Sequence, residues 1–226
     1  MITKLVDGKI WHSTHEVKFG PIKMNTRATF VRLSDGSIWV HSPVPLDELD
    51  VAKLARLGEV KFVVAPNKTH HIFFEGFIAQ FPGAKGFVAP GLATKEPGLS
   101  CFATLDADAN RLWSEDFDSV FVDGLPVLNE TVWFHRGTGT LLLADLLFSF
   151  APRSFGMTQL VARLLGVYDR LAMSRTMKFM VKDRANFKLS IDQILSWPIE
   201  RIILAHDRII EDDAQTQLIA AFGWQH

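Results

Sequence analysis

The sequence predicts an α/β fold in layers, with helices outside two sheets. Two observations carry this. Segments succeed one another in the order strands, α/β units, strands, helices, strand, helix. No internal repeat, low-complexity tract or linker divides the 226 residues, so one domain over 1–226 is expected, long enough to bury a real core.

The β signal opens the chain. Residues 26–41, TRATFVRLSDGSIWVH, set two β-rich runs on either side of an Asp-Gly turn, a strong hairpin signal because glycine supplies positive φ at little cost. EVKFGPI before it predicts another short strand and KIWHSTH an earlier one, so the first quarter reads as an antiparallel meander. In PLDELDVAKLARLGEV, Asp47 can cap a helix that Gly58 stops. A strand at 61–65 follows, then a helix-like IFFEGFIAQF and a short strand, KGFVA. Residues 90–116 are rich in turn formers. DSVFVDG, LPVLNETVWFHRG and TGTLLLADLLFSF read as strands between glycine-containing turns.

Residues 156–196 change to helical spacing with several methionines, and 156–188 is basic. Met173, Met177 and Met180 can share a helix face. The segment packs that face on the core, forms a wall over a cleft or, as a third reading, meets a membrane surface. SIDQILSW is a further helix ended by Pro198, RIILAHD a strand, and EDDAQTQLIAAFGW a capped C-terminal helix.

Composition excludes several classes. Lys plus Arg is 24 and Asp plus Glu 25, which gives no field to draw in nucleic acid. One cysteine, Cys101, rules out an intramolecular disulfide or a cysteine-based zinc cluster. MITKLVDGKIW lacks the features of a signal peptide, and apolar runs such as 141–150 are too short to span a bilayer. A cytoplasmic protein acting on a small molecule, with membrane contact not expected, fits these facts. No G-x-S-x-G elbow or phosphate loop occurs.

The chemistry lies with the histidines. His41 ends IWVH, His135 ends VWFH and His206 ends ILAH, while His70 and His71 follow VVAP. Strand ends on one side of a sheet can converge at a rim. Asp145 interrupts LLLADLLF, and a carboxylate in such a run needs a hydrogen-bond partner, a counter-charge or a cation. Each residue alone also fits a structural role, and Asp145 could pair with Arg136. Imidazole and carboxylate together suit zinc, iron or manganese. His12 and His15 lie on one face of an early strand, with surface or packing roles expected. His226 is terminal.

The motif at 63–74, the strand before His135, Asp145 ten residues on, and the late strand before His206 resemble the metallo-β-lactamase fold superfamily. PNK-x-HH and WVHSPV resemble a divergent branch of it, a domain of unknown function. The resemblance implies a four-layer αββα sandwich with a helical insertion near 156–196. Laid on the superfamily's H-x-H-x-D-H, Pro66 and Lys68 take the first two histidine positions, His70 the aspartate and His71 the last histidine. His135, Asp145 and His206 resemble the later ligands. His41-Ser42-Pro43 stands where Asp-x-Gly is usual. Proline cannot ligate and Lys68 is normally a cation, so one metal pocket is lost. The implied site is a single Zn²⁺ or Fe²⁺ held among His70, His71, His135, Asp145 and His206, with Lys68 able to steady an oxyanion. The implied activity is metal-dependent hydrolysis of an ester, lactone, amide or phosphoester. The alternative is a non-catalytic relative that binds or supports.

Overall fold

A computed structural model describes residues 1–152 and 156–225; His226 lies outside them. Seven strands form one sheet in sequence order: β1 (Thr3–Val6), β2 (Ile10–Phe19), β3 (Ile22–Arg32), β4 (Ile38–His41), β5 (Val60–Ala65), β6 (Lys85–Val88) and β7 (Ala103–Thr104). The first four run antiparallel, as the meander predicts, and β4 to β7 run parallel. The second sheet is built from β8 (Phe117–Phe121), β9 (Thr131–His135), β10 (Thr140–Leu143), β11 (Arg201–Leu204) and β12 (Ile209–Ile210), in the order β12-β11-β10-β9-β8. Only β10 and β11 are parallel in it.

Period-2 patterning assigns each strand's faces. Trp39, Phe62, Val64, Trp133, Leu142 and Ile203 meet between the sheets. Their neighbours Val40, Val63 and Ala65 turn outward, onto Leu54 of α1 (Glu48–Leu57) and Phe74 and Phe77 of α2 (Phe74–Ile78). On the other sheet Leu141, Leu143 and Leu204 cover Phe187 and Ile191 of α7 (Arg184–Leu195) and Leu218 of α8 (Ala214–Phe222). The layers are therefore α, β, β, α. Two short helices, α3 (Leu92–Lys95) and α4 (Ala107–Arg111), fill the turn-rich stretch. α5 (Met157–Leu165) and α6 (Arg175–Met180) precede α7. No helix among the described residues is long and apolar enough to cross a membrane.

Several local expectations change. EVKFGPI is not a separate strand. β2 runs through it and reverses at Gly20-Pro21, where Gly20 has φ 59°. His12 and His15 therefore share one strand at an odd separation, which puts them on opposite faces; His12 is half-buried and His15 exposed. β10 ends at Leu143, so Asp145 stands past the strand end rather than inside it. The methionines do not form one helical stripe: Met173 is buried ahead of α6, whose cap is Ser174. Asp213 precedes α8 in a left-handed conformation and makes no side-chain cap.

β3 extends beyond its neighbour. Thr29 pairs with His41, the last residue of β4, so residues 22–28 and their β2 partners overhang the rim. Thr26 bridges to His206, and the Arg27 guanidinium donates to the carbonyls of Leu204, Asp207 and Arg208. The hairpin is thereby pinned to the end of β11.

Asp47 caps α1 as expected, accepting from the Asp50 amide at 2.8 Å. Gly58 ends the helix by close approach rather than by positive φ. A Cβ there would lie 2.4 Å from the Gly36 carbonyl oxygen. Gly58→Ala should destabilise the fold by about 1–3 kcal/mol, read as a lowered denaturant midpoint. An unchanged midpoint would show that the two loops separate freely.

Candidate metal centre

Strand direction decides which residues reach the rim. β4 and β5 run parallel and deliver Ser42 and residues 66–73 there. β10 and β11 run parallel and deliver Asp145 and His206. β9 runs antiparallel to β10, with His135 opposite Thr140, so its beginning, next to Glu130, lies at this rim and His135 at the far one.

Among the described residues, His70, Asp145 and His206 form one cluster that could hold a metal ion. His206 Nε2 lies 3.1 Å from Asp145 Oδ1, His70 Nε2 lies 3.3 Å from the same oxygen, and the two Nε2 atoms are 3.1 Å apart. Zinc–ligand bonds near 2.0–2.1 Å in a tetrahedron give edges of about 3.3 Å. The triangle matches one face of such a polyhedron.

The opposite ring nitrogens are anchored. His206 Nδ1 lies 2.9 Å from the Asn25 carbonyl oxygen, which can only accept, so Nδ1 carries the proton and neutral His206 presents a lone pair at Nε2. His70 Nδ1 lies 2.6 Å from the Ser42 hydroxyl. Ser42 is held at φ 53° with its amide on the Val64 carbonyl. Ordering of an imidazole through its second nitrogen is the usual support of a metal ligand.

The carboxylate is anchored as well. Asn67 Nδ2 donates to Glu130 Oε2 at 2.8 Å and to Asp145 Oδ2 at 3.0 Å. Its Oδ1 accepts from the Thr69 and His70 amides, an Asx turn that shapes the loop. The Thr69 hydroxyl donates to Asp145 Oδ2. Glu130 accepts the Ala144 and Asp145 amides at 2.7 and 2.8 Å.

Burial opposes the charge of Asp145, but His70 beside it and its hydrogen bonds to both histidines outweigh burial and hold it well below the usual carboxylate range. Burial and the Asp145 charge push Glu130 up to about 7. Burial works against the charged form of His206, yet Asp145 raises its pKa overall.

The structure separates the other expected residues from this cluster. His71 leaves the turn on the opposite side, its Nε2 3.4 Å from Glu96 Oε1. His135 is buried at the far rim against Phe117 and bonds the Thr138 hydroxyl at 2.8 Å. Lys68 points away, Nζ donating to the Pro126 carbonyl at 2.8 Å. Arg136 pairs with Asp118, not Asp145. His41 reaches the correct rim, but its ring turns between the sheets onto Trp39 and Trp133. Ser42, Asn67, Thr69 and Glu130 join the cluster without a catalytic motif in the sequence; the Asn-x-Thr spacing of an Asx turn is the available signal for Asn67 and Thr69.

A cleft of about 240 Å³ opens onto the cluster. The overhanging hairpin supplies Val17, Phe19 and Met24, the 67–73 loop supplies Phe73, and Phe148 and Met177 close the side. One methionine of the basic segment, Met177, therefore does line the cleft.

Comparison with solved structures places this architecture. A metallo-beta-lactamase from Pontibacter korlensis matches with TM-score 0.64 at 12% identity, over 100% of this chain and 98% of its own. A metallo-beta-lactamase from Hirschia baltica matches with TM-score 0.62 at 8% identity, over 98% and 96%. A flavo di-iron protein mutant from Thermotoga maritima matches with TM-score 0.63 at 11% identity, over 100% of this chain and 62% of that one. The chain has the metallo-β-lactamase fold, an αββα sandwich. Within that class, the family model described as a domain of unknown function, DUF4336, matches residues 7–178, and the chain belongs to this family. None of the curated proteins matches it.

Burial lowers the pKa of His135 from 6.5 to about 4, against a smaller raising effect of Asp116. The unfolded chain therefore takes up this proton first, and the contribution of His135 to stability falls as pH drops from about 6.5 to 4. Relative to the wild type, His135→Gln should gain about 2 kcal/mol on going from pH 7 to pH 5. Denaturant midpoints of both proteins at the two pH values test this; a constant difference would contradict it.

Proposed function

We propose that the chain is a metal-dependent hydrolase built on a single ion, Zn²⁺ or Fe²⁺, held by His70, Asp145 and His206. One observation carries this proposal: three donor atoms converge in a triangle of metal-sized edges at the floor of a cleft. Three protein ligands with one position open is the pattern of catalytic rather than structural sites. A bound ion supplies Lewis acidity that polarises a carbonyl and acidifies water.

The chain's own residues do the positioning. Asn25 and Ser42 fix the ring orientations, and Asn67, Thr69 and Glu130 fix the carboxylate. Asp145 balances one of the two positive charges of the ion. The walls of Phe73, Phe148 and Met177 exclude water and strengthen charge interactions at the floor. Lys68, directed to Pro126, does not reach the cluster to steady an oxyanion.

Ser42, His70 and Asp145 also form a hydroxyl–imidazole–carboxylate chain. Ser42 is 1% exposed and does not line the cleft, so it serves as a support for His70 and not as a nucleophile. A second reading rests on the same distances, which are also hydrogen-bond lengths: a non-catalytic relative whose cluster is closed by protons.

Protein purified without chelator or affinity tag should carry close to one equivalent of zinc or iron. Asp145→Ala and His206→Ala should each lose it, and Asn67→Ala should weaken it about 10–100-fold. Affinity should rise with pH, because the ion displaces the proton that Asp145 favours on His206. Elemental analysis that finds no metal, even after anaerobic incubation with zinc and iron, would leave only the proton-closed reading.

A further inference from the structure

We propose that the cleft takes a neutral carboxylic ester, open or cyclic, through a short apolar acyl group, and that phosphoesters are excluded. The inference rests on the hydrolase reading above and narrows it.

A phosphoester needs cations or a nest of backbone amides to replace its hydration. Among the described residues, the cleft lining contains no lysine or arginine. Lys68 is engaged on the Pro126 carbonyl, and Arg27 on the carbonyls of Leu204, Asp207 and Arg208. Asp145 would offset one of the two charges of a bound ion, so the floor offers a phosphoester a single net positive charge and no side-chain cation for its remaining anionic oxygen. A neutral carbonyl meets none of these costs.

The walls supply the positive case. Val17, Phe19, Met24, Phe73, Phe148 and Met177 come from four separate segments yet present apolar surface to one space. Phe19 is 52% exposed and Ile72, also in the lining, is 60% exposed, so the mouth carries large apolar side chains in water. Such a patch beside a polar floor marks a ligand site. The two methionines adapt to chains of differing shape. The volume, about 240 Å³, lies below the roughly 300–1,000 Å³ of drug-sized pockets, which favours a short acyl group.

The reaction balances with water alone. A water oxygen bonds to the carbonyl carbon, the bond from that carbon to the alkoxy oxygen breaks, and the departing oxygen takes a proton from the water. The products are a carboxylic acid, which ionises, and an alcohol.

The test uses the full chain loaded with one equivalent of zinc. Turnover is measured on p-nitrophenyl acetate, butyrate and hexanoate and on bis(p-nitrophenyl) phosphate. Binding of acetohydroxamate and hexanohydroxamate is measured by calorimetry. The proposal predicts a kcat/KM rising roughly two- to fourfold per added CH₂, tighter binding of the longer hydroxamate, and loss of both trends in Met177→Lys and Phe19→Lys. Phe19 is exposed enough for its variant to fold, which a melting curve checks. Preferred turnover of the phosphodiester overturns the substrate class and leaves the hydrolase standing. Absence of turnover with chain-length-dependent binding removes the hydrolase and supports the apolar acyl site. Binding indifferent to chain length and to both variants overturns the proposal.

Discussion

The side-chain amide of Asn67 is fully buried between two carboxylates and a turn of backbone, and its orientation is forced. The reverse orientation would aim a carbonyl oxygen at Glu130 and Asp145 and an NH₂ group at the amides of Thr69 and His70. Held this way, Asn67 shapes the turn that brings His70 inward, and it grips the carboxylate that His70 meets. Turn and ligand therefore form together. A buried polar network of this kind stabilises only when every member is satisfied, and Glu130 completes it by accepting the successive amides of Ala144 and Asp145.

Two buried carboxylates on one amide make an electrostatic problem that the surroundings resolve unequally. Asp145 has two imidazoles and is held ionised, while Glu130 has only neutral donors and is pushed up. Negative charge is thereby concentrated on the group that faces the cleft. An uncompensated buried carboxylate is costly, so Asp145 requires either a protonated histidine or a cation. The same demand supports both the metal-bound centre and its proton-closed counterpart.

Much of the fold was legible because the core strands obey simple periodicity. VKFVVA and TLLL pack both faces, and the Asp-Gly turn and the Asp47 cap are local signals that tertiary packing did not override. The site was legible in part. Strand-end position pointed to His70 and His206, because each follows a strand whose C-terminal end lies at one rim, and Asp145 stood out as a lone carboxylate in an apolar run. The same rule failed for His135, since an antiparallel strand sends its last residue to the opposite edge, and strand direction is a tertiary property. It failed for His71 because adjacent residues in a turn diverge. Glu130 was invisible because its partners are backbone amides fourteen and fifteen positions away, which no local pattern records.

The proposed centre stands or falls on two imidazoles and one carboxylate sharing a single ion. X-ray absorption at the zinc edge, on the full chain loaded with one equivalent, tests it most directly. A shell of nitrogen and oxygen ligands near 2.0–2.1 Å, with outer-shell scattering from two imidazoles, is the expected result. Scattering from one imidazole or none, or a fully hydrated ion, would contradict it.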